Sequence, residues 1–419
     1  MTDQYTDVQF IGYAIPSIPR LLPDVSDPQG FIEGHYIGVE PAVADIFRRI
    51  ELTMKAIEQT VKNCAVDCSP STLKIFVMPE FSFRGKHGAY DNFPHVVDYF
   101  TVFRKEFARR VAVPAYKGWL FAAGTVVNTV EYVRGQDLGR DLKALVREEV
   151  AIALARAWRY SKENDDTELR DCLAAALRCY TDYCHKDPVY TVTDKSYVVA
   201  GGSPETDYCQ GLSIEKKYVS NEDFVLNFYG YAEDECGYPK IGEQDGENKR
   251  TAFDALSIFT IQGIKFGLEI CLDHLGRRLR RFRRPETEHV QIQLVPSCGV
   301  QQIDARAVIA GPDGLVFNCD GQFGEIQSID PSPDPSQSIW TGAVSGLAHT
   351  QLAKVATACS DNLLGSDARL TGPGTTVTRL PIHDTAASRL FAYGAGEVHI
   401  YSRLPVPPPV PDDAAGLQP

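Results

Sequence analysis

The chain has 419 residues, 44% of them hydrophobic and 23% charged, which is the balance of a soluble globular protein large enough for one big domain or two ordinary ones. Its 42 basic and 55 acidic side chains give a formal net charge of −13. A surface of that sign repels phosphate backbones and argues against nucleic acid as a partner, although a pocket can differ in sign from the surface. The polar start MTDQYTDVQ has no basic n-region, and no apolar run approaches the roughly 18–20 residues that span a bilayer. A cytoplasmic protein with no membrane partner is therefore expected. The 11 cysteines are odd in number and scattered from Cys64 to Cys359, which fits free thiols in a reducing compartment better than a disulfide framework. The close pairs Cys64/Cys68 and Cys179/Cys184 lack metal-site spacing, so structural thiols and no metal are expected.

In chain order, residues 8–15 (VQFIGYAI) read as a strand and residues 40–63 as an amphipathic helix, with Ala42, Ile46, Ile50, Met54 and Ile57 at three- and four-residue steps and Pro41 in the first turn. The apolar strand Leu73–Met78 runs into Pro79 and Glu80. A helix is expected over 95–111 and a strand over 118–128, the alternation of a layered α/β protein. Residues 136–184 break the rhythm and read as a helical insertion hinged at 162–166. Strands resume at 189–200, 211–219, 255–261, 264–271 and 290–296, with further pieces at 307–318, 339–348, 352–360 and 395–402. The Pro-Asp-Gly of residues 310–321 (AGPDGLVFNCDG) suggests a hairpin. Residues 1–405 are expected to form the working domain, and the Pro-rich residues 406–419 an extended tail.

Three segments each deliver one reactive side chain at or near a strand end, where sites form in layered α/β folds. In IFVMPEFSFRG, Glu80 follows an apolar strand; desolvation there would raise its pKa toward that of a general base. In GLSIEKKYVSNEDF, strand alternation puts Leu212, Ile214, Lys216 and Tyr218 on one face, so Lys216 points into apolar surroundings and needs an anion. In GIKFGLEICLDHLGRRLRRF, Cys271 sits where a strand turns into a helix-like stretch, a place that exposes a nucleophile beside backbone N–H groups. Each residue alone has an ordinary reading as a solvated strand end or a buried thiol.

Together, in the order Glu, Lys, Cys, the segments VMPEF, IEKKY and GLEICLDH resemble the three catalytic segments of the nitrilase, or carbon–nitrogen hydrolase, superfamily. The resemblance implies an α-β-β-α sandwich of two mixed sheets. It also implies hydrolysis of a small-molecule amide or nitrile through an acyl-thioester on Cys271. Glu80 would be the base and Lys216 would stabilise negative charge with the Leu272 N–H. No cofactor is implied, and a homodimer or higher homo-oligomer is. A second acid common in the family falls nearest Glu222, with Asp223 competing. Leu272, Asp273 and His274 adjoin the nucleophile as possible substrate contacts, with His274 also readable as a solvent-facing turn residue. The chain departs from the family pattern at Leu272, often aromatic, at Leu275, often Arg, and in the insertion. The run Arg277, Arg278, Arg280, Arg281, Arg283 and Arg284 reads either as a solvated helix face pairing with the protein's own carboxylates or as a contact for an anionic substrate or a subunit. Cys298 is read as a structural thiol. Three rival readings remain open: a Cys-His hydrolase, an acyl-transferring or amide-forming enzyme with the same thioester, and a non-catalytic binding protein of the same fold.

Overall fold

The computed structural model describes residues 5–23, 32–86, 88–90, 98–132, 189–202, 211–217, 257–282, 289–322, 341–359 and 367–409. The helical reading of 136–184, Tyr218, Glu222, Asp223, Arg283, Arg284 and the tail beyond 409 lie outside the described residues. The strands are β1 (Asp7–Ala14), β2 (Arg20–Pro23), β3 (Ile32–His35), β4 (Thr72–Val77), β5 (Trp119–Tyr132), β6 (Val189–Ala200), β7 (Leu212–Glu215), β8 (Ile258–Ile261), β9 (Ile264–Leu268), β10 (Val290–Ser297), β11 (Ala310–Asp320), β12 (Thr341–Ser345), β13 (Ala348–Thr357), β14 (Arg369–Thr371), β15 (Val377–Pro381), β16 (Glu397–Tyr401) and β17 (Leu404–Pro405). The helices are α1 (Ala42–Val61), α2 (Tyr99–Val111), α3 (Leu272–Leu275) and α4 (Arg278–Phe282).

Two mixed sheets result. The first runs β15-β16-β1-β4-β5-β6-β7, with β17 also on β1, and the second runs β12-β13-β11-β10-β9-β8, with β14 on β13. Strands β1, β4 and β5 are parallel, as are β9, β10 and β11, and antiparallel strands flank both groups. The sheets pack face to face: Val8, Phe10, Leu73, Ile75, Leu120 and Ile214 of the first share one buried cluster with Phe266, Leu268, Ile292, Leu294 and Phe317 of the second. The Phe10 and Phe317 rings lie 5.0 Å apart across that interface. Each such side chain contributes roughly 1.5–3 kcal/mol by leaving water.

The alternate residues of the first sheet, among them Phe76, Phe121 and Tyr197, face outward under α1 and α2. Helix α1 offers the Ile46, Ile50, Met54 and Ile57 stripe read from the sequence, and α2 offers Phe100, Phe103 and Phe107. Asp98 caps α2 by accepting from the N–H groups of Phe100 and Thr101. Over the outer face of the second sheet, Leu279 of α4 and Ile303 and Val308 of the following connection cover Val295, Val316 and Ala353. The order is therefore helix, sheet, sheet, helix, an α-β-β-α sandwich.

Two readings need correction. Residues 310–321 do not form a hairpin. They are one strand, β11, parallel to β10 and bulged, since Val290 pairs with Ala310 while Ile292 already pairs with Leu315. The Pro-Asp-Gly signal marks that bulge, with Asp313 at φ +63°. The two pieces read at 339–348 and 352–360 are β12 and β13, but the turn between them lies at Gly346 rather than at 349–351, because Ser345 pairs with Ala348.

A polar contact also crosses the sandwich. Thr350 Oγ1 on β13 lies 2.8 Å from His399 Nδ1 and 2.8 Å from the Tyr401 hydroxyl on β16. Burial holds the His399 pKa down to about 4, against an ordinary value of 6.5, with Glu397 pulling weakly the other way. The unfolded chain therefore binds more protons between those pH values, and lowering pH through that window weakens the fold. A His399→Asn variant, which keeps an amide for Thr350, should escape this loss. Urea unfolding measured from pH 7 to pH 4 should show the wild type losing up to about 3 kcal/mol relative to that variant.

Candidate active site

Glu80 lies just past β4, in a segment tied to both sheets. Met78 N–H donates to Ala122 O (3.0 Å) and Glu80 N–H to Ser297 O across the sandwich (3.2 Å), while Ser17 Oγ donates to Glu80 O (2.6 Å). Phe81 is held at φ +62°, and its N–H donates to Thr125 Oγ1 (2.8 Å). Thr125 reaches that position because β5 is bulged: Ala122 pairs with Val198 but Thr125 with Ser196, so one extra residue is absorbed near Gly124. Gly124 has φ +68°, and a β-carbon there would meet Pro79 O and the Ser82 side chain. From the helical layer over the first sheet, Asp45 and Arg49 of α1 clamp the next stretch. Arg49 donates to Asp45 Oδ2 (2.6 Å) and Ser82 O (3.1 Å), and the Tyr90 hydroxyl donates to Asp45 Oδ2 (2.7 Å).

Lys216 follows β7 by one residue, and its N–H donates to Asp194 O on β6 (2.8 Å). Strand alternation turns its side chain inward with Ile214, as the sequence pattern requires. Lys216 Nζ stands 2.7 Å from Glu80 Oε1, and neither side chain has any solvent exposure. The other carboxylate oxygen, Glu80 Oε2, accepts the N–H of Cys298 (3.1 Å). The ammonium also faces the Phe81 ring, 5.4 Å from its centroid.

Cys271 approaches from the second sheet. Strand β9 ends at Leu268, yet Glu269 N–H to Leu294 O and Cys271 N–H to Pro296 O, both 3.1 Å, keep residues 269–271 along β10. At Cys271 the backbone turns to φ +44°, ψ −104°, and α3 begins at the next residue. A β-carbon makes that conformation costly, on the order of 1–3 kcal/mol, so the surroundings must hold it. The thiol donates to Cys298 O (3.8 Å). One residue, Cys298, thus touches both partners: its N–H meets Glu80 and its carbonyl meets Cys271. Asp320 fixes that turn, accepting from Ser297 Oγ (2.6 Å), Gly299 N–H (2.9 Å) and Val300 N–H (2.8 Å). Burial, with Asp320 and Glu80 nearby, pushes the Cys298 thiol well above its ordinary pKa, so it is held as a neutral thiol.

Glu80, Lys216 and Cys271 therefore meet at one buried place from three separate strands. Leu272 opens α3 and packs in part against the core between the sheets. Asp273 accepts Lys217 N–H (3.0 Å) and Arg278 Nη1 (3.1 Å), tying the Lys216 strand to the Cys271 turn. His274 is fully buried: Nδ1 lies 2.9 Å from Glu269 Oε2, and Nε2 accepts Asp304 N–H (3.1 Å), so both ring nitrogens are engaged by the protein itself. Of the arginine run, Arg278 reaches Asp273 and Ser257, and Arg280 reaches Asp367 and Arg306 O. Both are buried and pair with the protein's own groups rather than forming a solvated face.

Three contributors escape a motif-based reading: the Cys298 backbone, Thr125 and Asp194. Asp194 was open to the same alternation argument as Lys216, since Asp194, Ser196 and Val198 share the inner face of β6. Its carboxyl is buried, faces Lys216, Thr125, Glu80 and Arg84, and has its pKa pushed up to about 6, chiefly by desolvation. Among the described residues, no group of three or more His, Cys, Asp or Glu side chains is arranged to hold a metal ion.

No family model and no curated protein matches the sequence. Solved structures of nitrilase-superfamily members are similar to the chain. One is a Saccharomyces cerevisiae member of branch 10 of that superfamily, 11% identical, covering 97% of this chain and 93% of its own, with a TM-score of 0.35. An amidase from Nesterenkonia sp. is 10% identical, with coverage of 76% and 77% and a TM-score of 0.30. A variant of that amidase carries the acetamide moiety of fluoroacetamide on its active-site cysteine, and it is 9% identical over 76% and 77% with a TM-score of 0.30.

A fully buried ion pair contributes little net stability, but removing one partner strands the other. Lys216→Met should therefore lower unfolding free energy by about 3–5 kcal/mol, and adding Glu80→Gln should recover most of it. Chemical denaturation of the two variants checks this.

Proposed function

We propose that the chain is a cysteine-dependent hydrolase of non-peptide C–N bonds, acting on small amides or nitriles through an acyl-thioester on Cys271. The observation that carries the reading is the convergence on Cys298: its carbonyl contacts the Cys271 thiol and its N–H holds the Glu80 carboxylate, which is paired with Lys216. A carboxylate, an ammonium and a thiol on a strained turn, all out of water, are poorly explained by stability alone.

For an amide, Glu80 takes the Cys271 proton and Sγ attacks the carbonyl carbon; a nitrile would first give a thioimidate, which adds one water to join the same path. Lys216, with the adjoining Leu272 N–H, stabilises the charge that develops on the amide oxygen. The C–N bond breaks as Glu80 returns the proton to the leaving amine. Glu80 then deprotonates a water molecule, which attacks the thioester and releases a carboxylic acid and the free thiol. Glu80 carries every proton in this sequence, and the one lost to the amine is replaced from the attacking water, which restores the Cys271 thiol. An amine in place of that water would give acyl transfer, the second reading kept from the sequence. Asp273, which ties the Lys216 strand to the nucleophile turn, supports a positioning part for that residue. The buried, doubly bonded ring of His274 favours the same for it.

Acid-quenched incubation with a panel of short amides and nitriles, read by intact mass and peptide mapping, should find an acyl group on Cys271 and its carboxylic acid in solution. Cys271→Ala should abolish both, and Glu80→Gln should lower turnover at least about 10²-fold. Turnover by Cys271→Ala at the wild-type rate would overturn the proposal. Acylation with hydroxamate formed in preference to acid, when hydroxylamine is present, would favour acyl transfer.

A further inference from the structure

Behind the nucleophile lies a buried carboxylate that the mechanism does not use. Leu268 and Ile270 face the core between the sheets, so Glu269 points to the outer face of the second sheet, as does Gln293 between Ile292 and Leu294 on β10. Glu269 and His274 are both fully buried. Glu269 Oε1 accepts the Leu279 N–H of α4 (2.7 Å), while Oε2 accepts from Gln293 Nε2 (2.8 Å) and lies 2.9 Å from His274 Nδ1. The backbone N–H of Asp304 can only donate, and it reaches His274 Nε2 at 3.1 Å, so that nitrogen is an acceptor. The ring proton therefore sits on Nδ1 and is donated to Glu269. This bond joins residues on either side of Cys271 and closes a loop of chain around it.

We propose that Glu269 and His274 are a positioning pair that sets the conformation of Cys271, placing Sγ for Glu80 and aiming the Leu272 N–H at the substrate oxygen. The inference rests on the hydrolase reading; it adds Glu269 to the residues that reading uses and gives His274 its route of action. Cys271 has φ +44° and ψ −104°, a conformation that persists only where the surroundings over-determine it. The peptide between Cys271 and Leu272 turns with that ψ, so the direction of the Leu272 N–H depends on it. The local bonds from His274 N–H (2.9 Å) and Leu275 N–H (3.2 Å) to Cys271 O hold the turn only from its far side. The Glu269–His274 bond spans it, and each end is anchored elsewhere: Glu269 to α4 and β10, His274 to the connection that follows β10. Both side chains lie on the face of the sheet opposite the core that Cys271 joins, so they act through the backbone and not on the substrate.

The test uses three replacements of His274 in the full chain. Asparagine sets an amide N–H near the place of Nδ1 and keeps the bond to Glu269. Glutamine sets an amide oxygen near the place of Nε2 and keeps only the bond from Asp304. Alanine keeps neither. Alkylation of Cys271 by iodoacetamide is followed by peptide mapping at pH 7 and pH 9.5. The ratio of the two rates reports how far Glu80 assists ionisation of the thiol, and it cancels differences in access. His274→Ala and His274→Gln should lower that ratio at least about fivefold, and His274→Asn by less than about twofold. Glu80→Gln is the control and should lower the ratio by itself. If it does and His274→Ala does not, the positioning proposal is overturned while the hydrolase reading stands; if neither variant moves the ratio, both fall. Should the alanine variant not fold, the asparagine and glutamine variants decide the matter, and equal ratios in those two would overturn the proposal. With a substrate in hand, His274→Gln and Glu269→Gln should each lower kcat at least about tenfold with KM within about threefold, and His274→Asn should keep kcat within about threefold of the wild type. A lower unfolding midpoint with kcat unchanged in His274→Gln would mark the pair as structural only and overturn the inference.

Discussion

The ion pair between Lys216 and Glu80 is the constraint around which this molecule is arranged. Both side chains lie wholly out of water, and each needs more than the other to remain there. The carboxylate takes its second bond from Cys298 in the opposite sheet. The ammonium gains the face of Phe81 and the field of Asp194. The ammonium's partners come from its own sheet, but the carboxylate's second bond exists only once the two sheets have closed on each other. The core between the sheets supplies the free energy for that closure, and the pair determines the alignment in which closure is tolerable.

Much of what surrounds the pair can be understood as holding backbone in conformations it would not choose. Phe81 and Cys271 both have positive φ, and each is followed by a turn anchored from several directions. Behind Phe81 stand Thr125, carried by the β5 bulge, and the Asp45–Arg49 clamp. Behind Cys271 stand the Asp273 bonds and the Glu269–His274–Asp304 chain. These buried polar groups are satisfied by one another, which is the condition under which a polar network rigidifies a core instead of weakening it. The rigid frame leaves the thiol, the carboxylate and the ammonium as the groups with chemistry to offer.

The layered α/β class, most strands and the stripe of α1 were legible in the sequence because period-2 and period-3.6 patterns report burial directly. The same reasoning put Lys216 on an apolar face. Where it failed, a local rule was overridden by pairing. The Pro-Asp-Gly of β11 looks like a hairpin turn but is absorbed as a bulge, because parallel pairing with β10 continues on both sides of it. The β12–β13 boundaries slipped by a few residues for want of a strong turn signal. Backbone contributions were invisible: nothing in the letter Cys at 298 says that its amide and carbonyl, not its thiol, join the two halves of the site. Asp194 was missed for a different reason. It belongs to no recognisable motif, and its meaning appears only once Lys216 is seen on the next strand.

The pairing of β5 with β6 has a consequence for how this architecture tolerates change. Tyr132 and Val189 face each other at the open end of that ladder, so the chain leaves and re-enters the sheet at one point. Whatever is threaded between two such adjacent ends adds no strain to the register beneath, because the distance it must close is fixed by one strand spacing. The lower part of the same ladder carries Thr125 and Asp194 to the site. Sequence can thus be gained or lost at the top of the hairpin while the groups lower on its strands keep their places, which makes this end a natural graft point in the molecule.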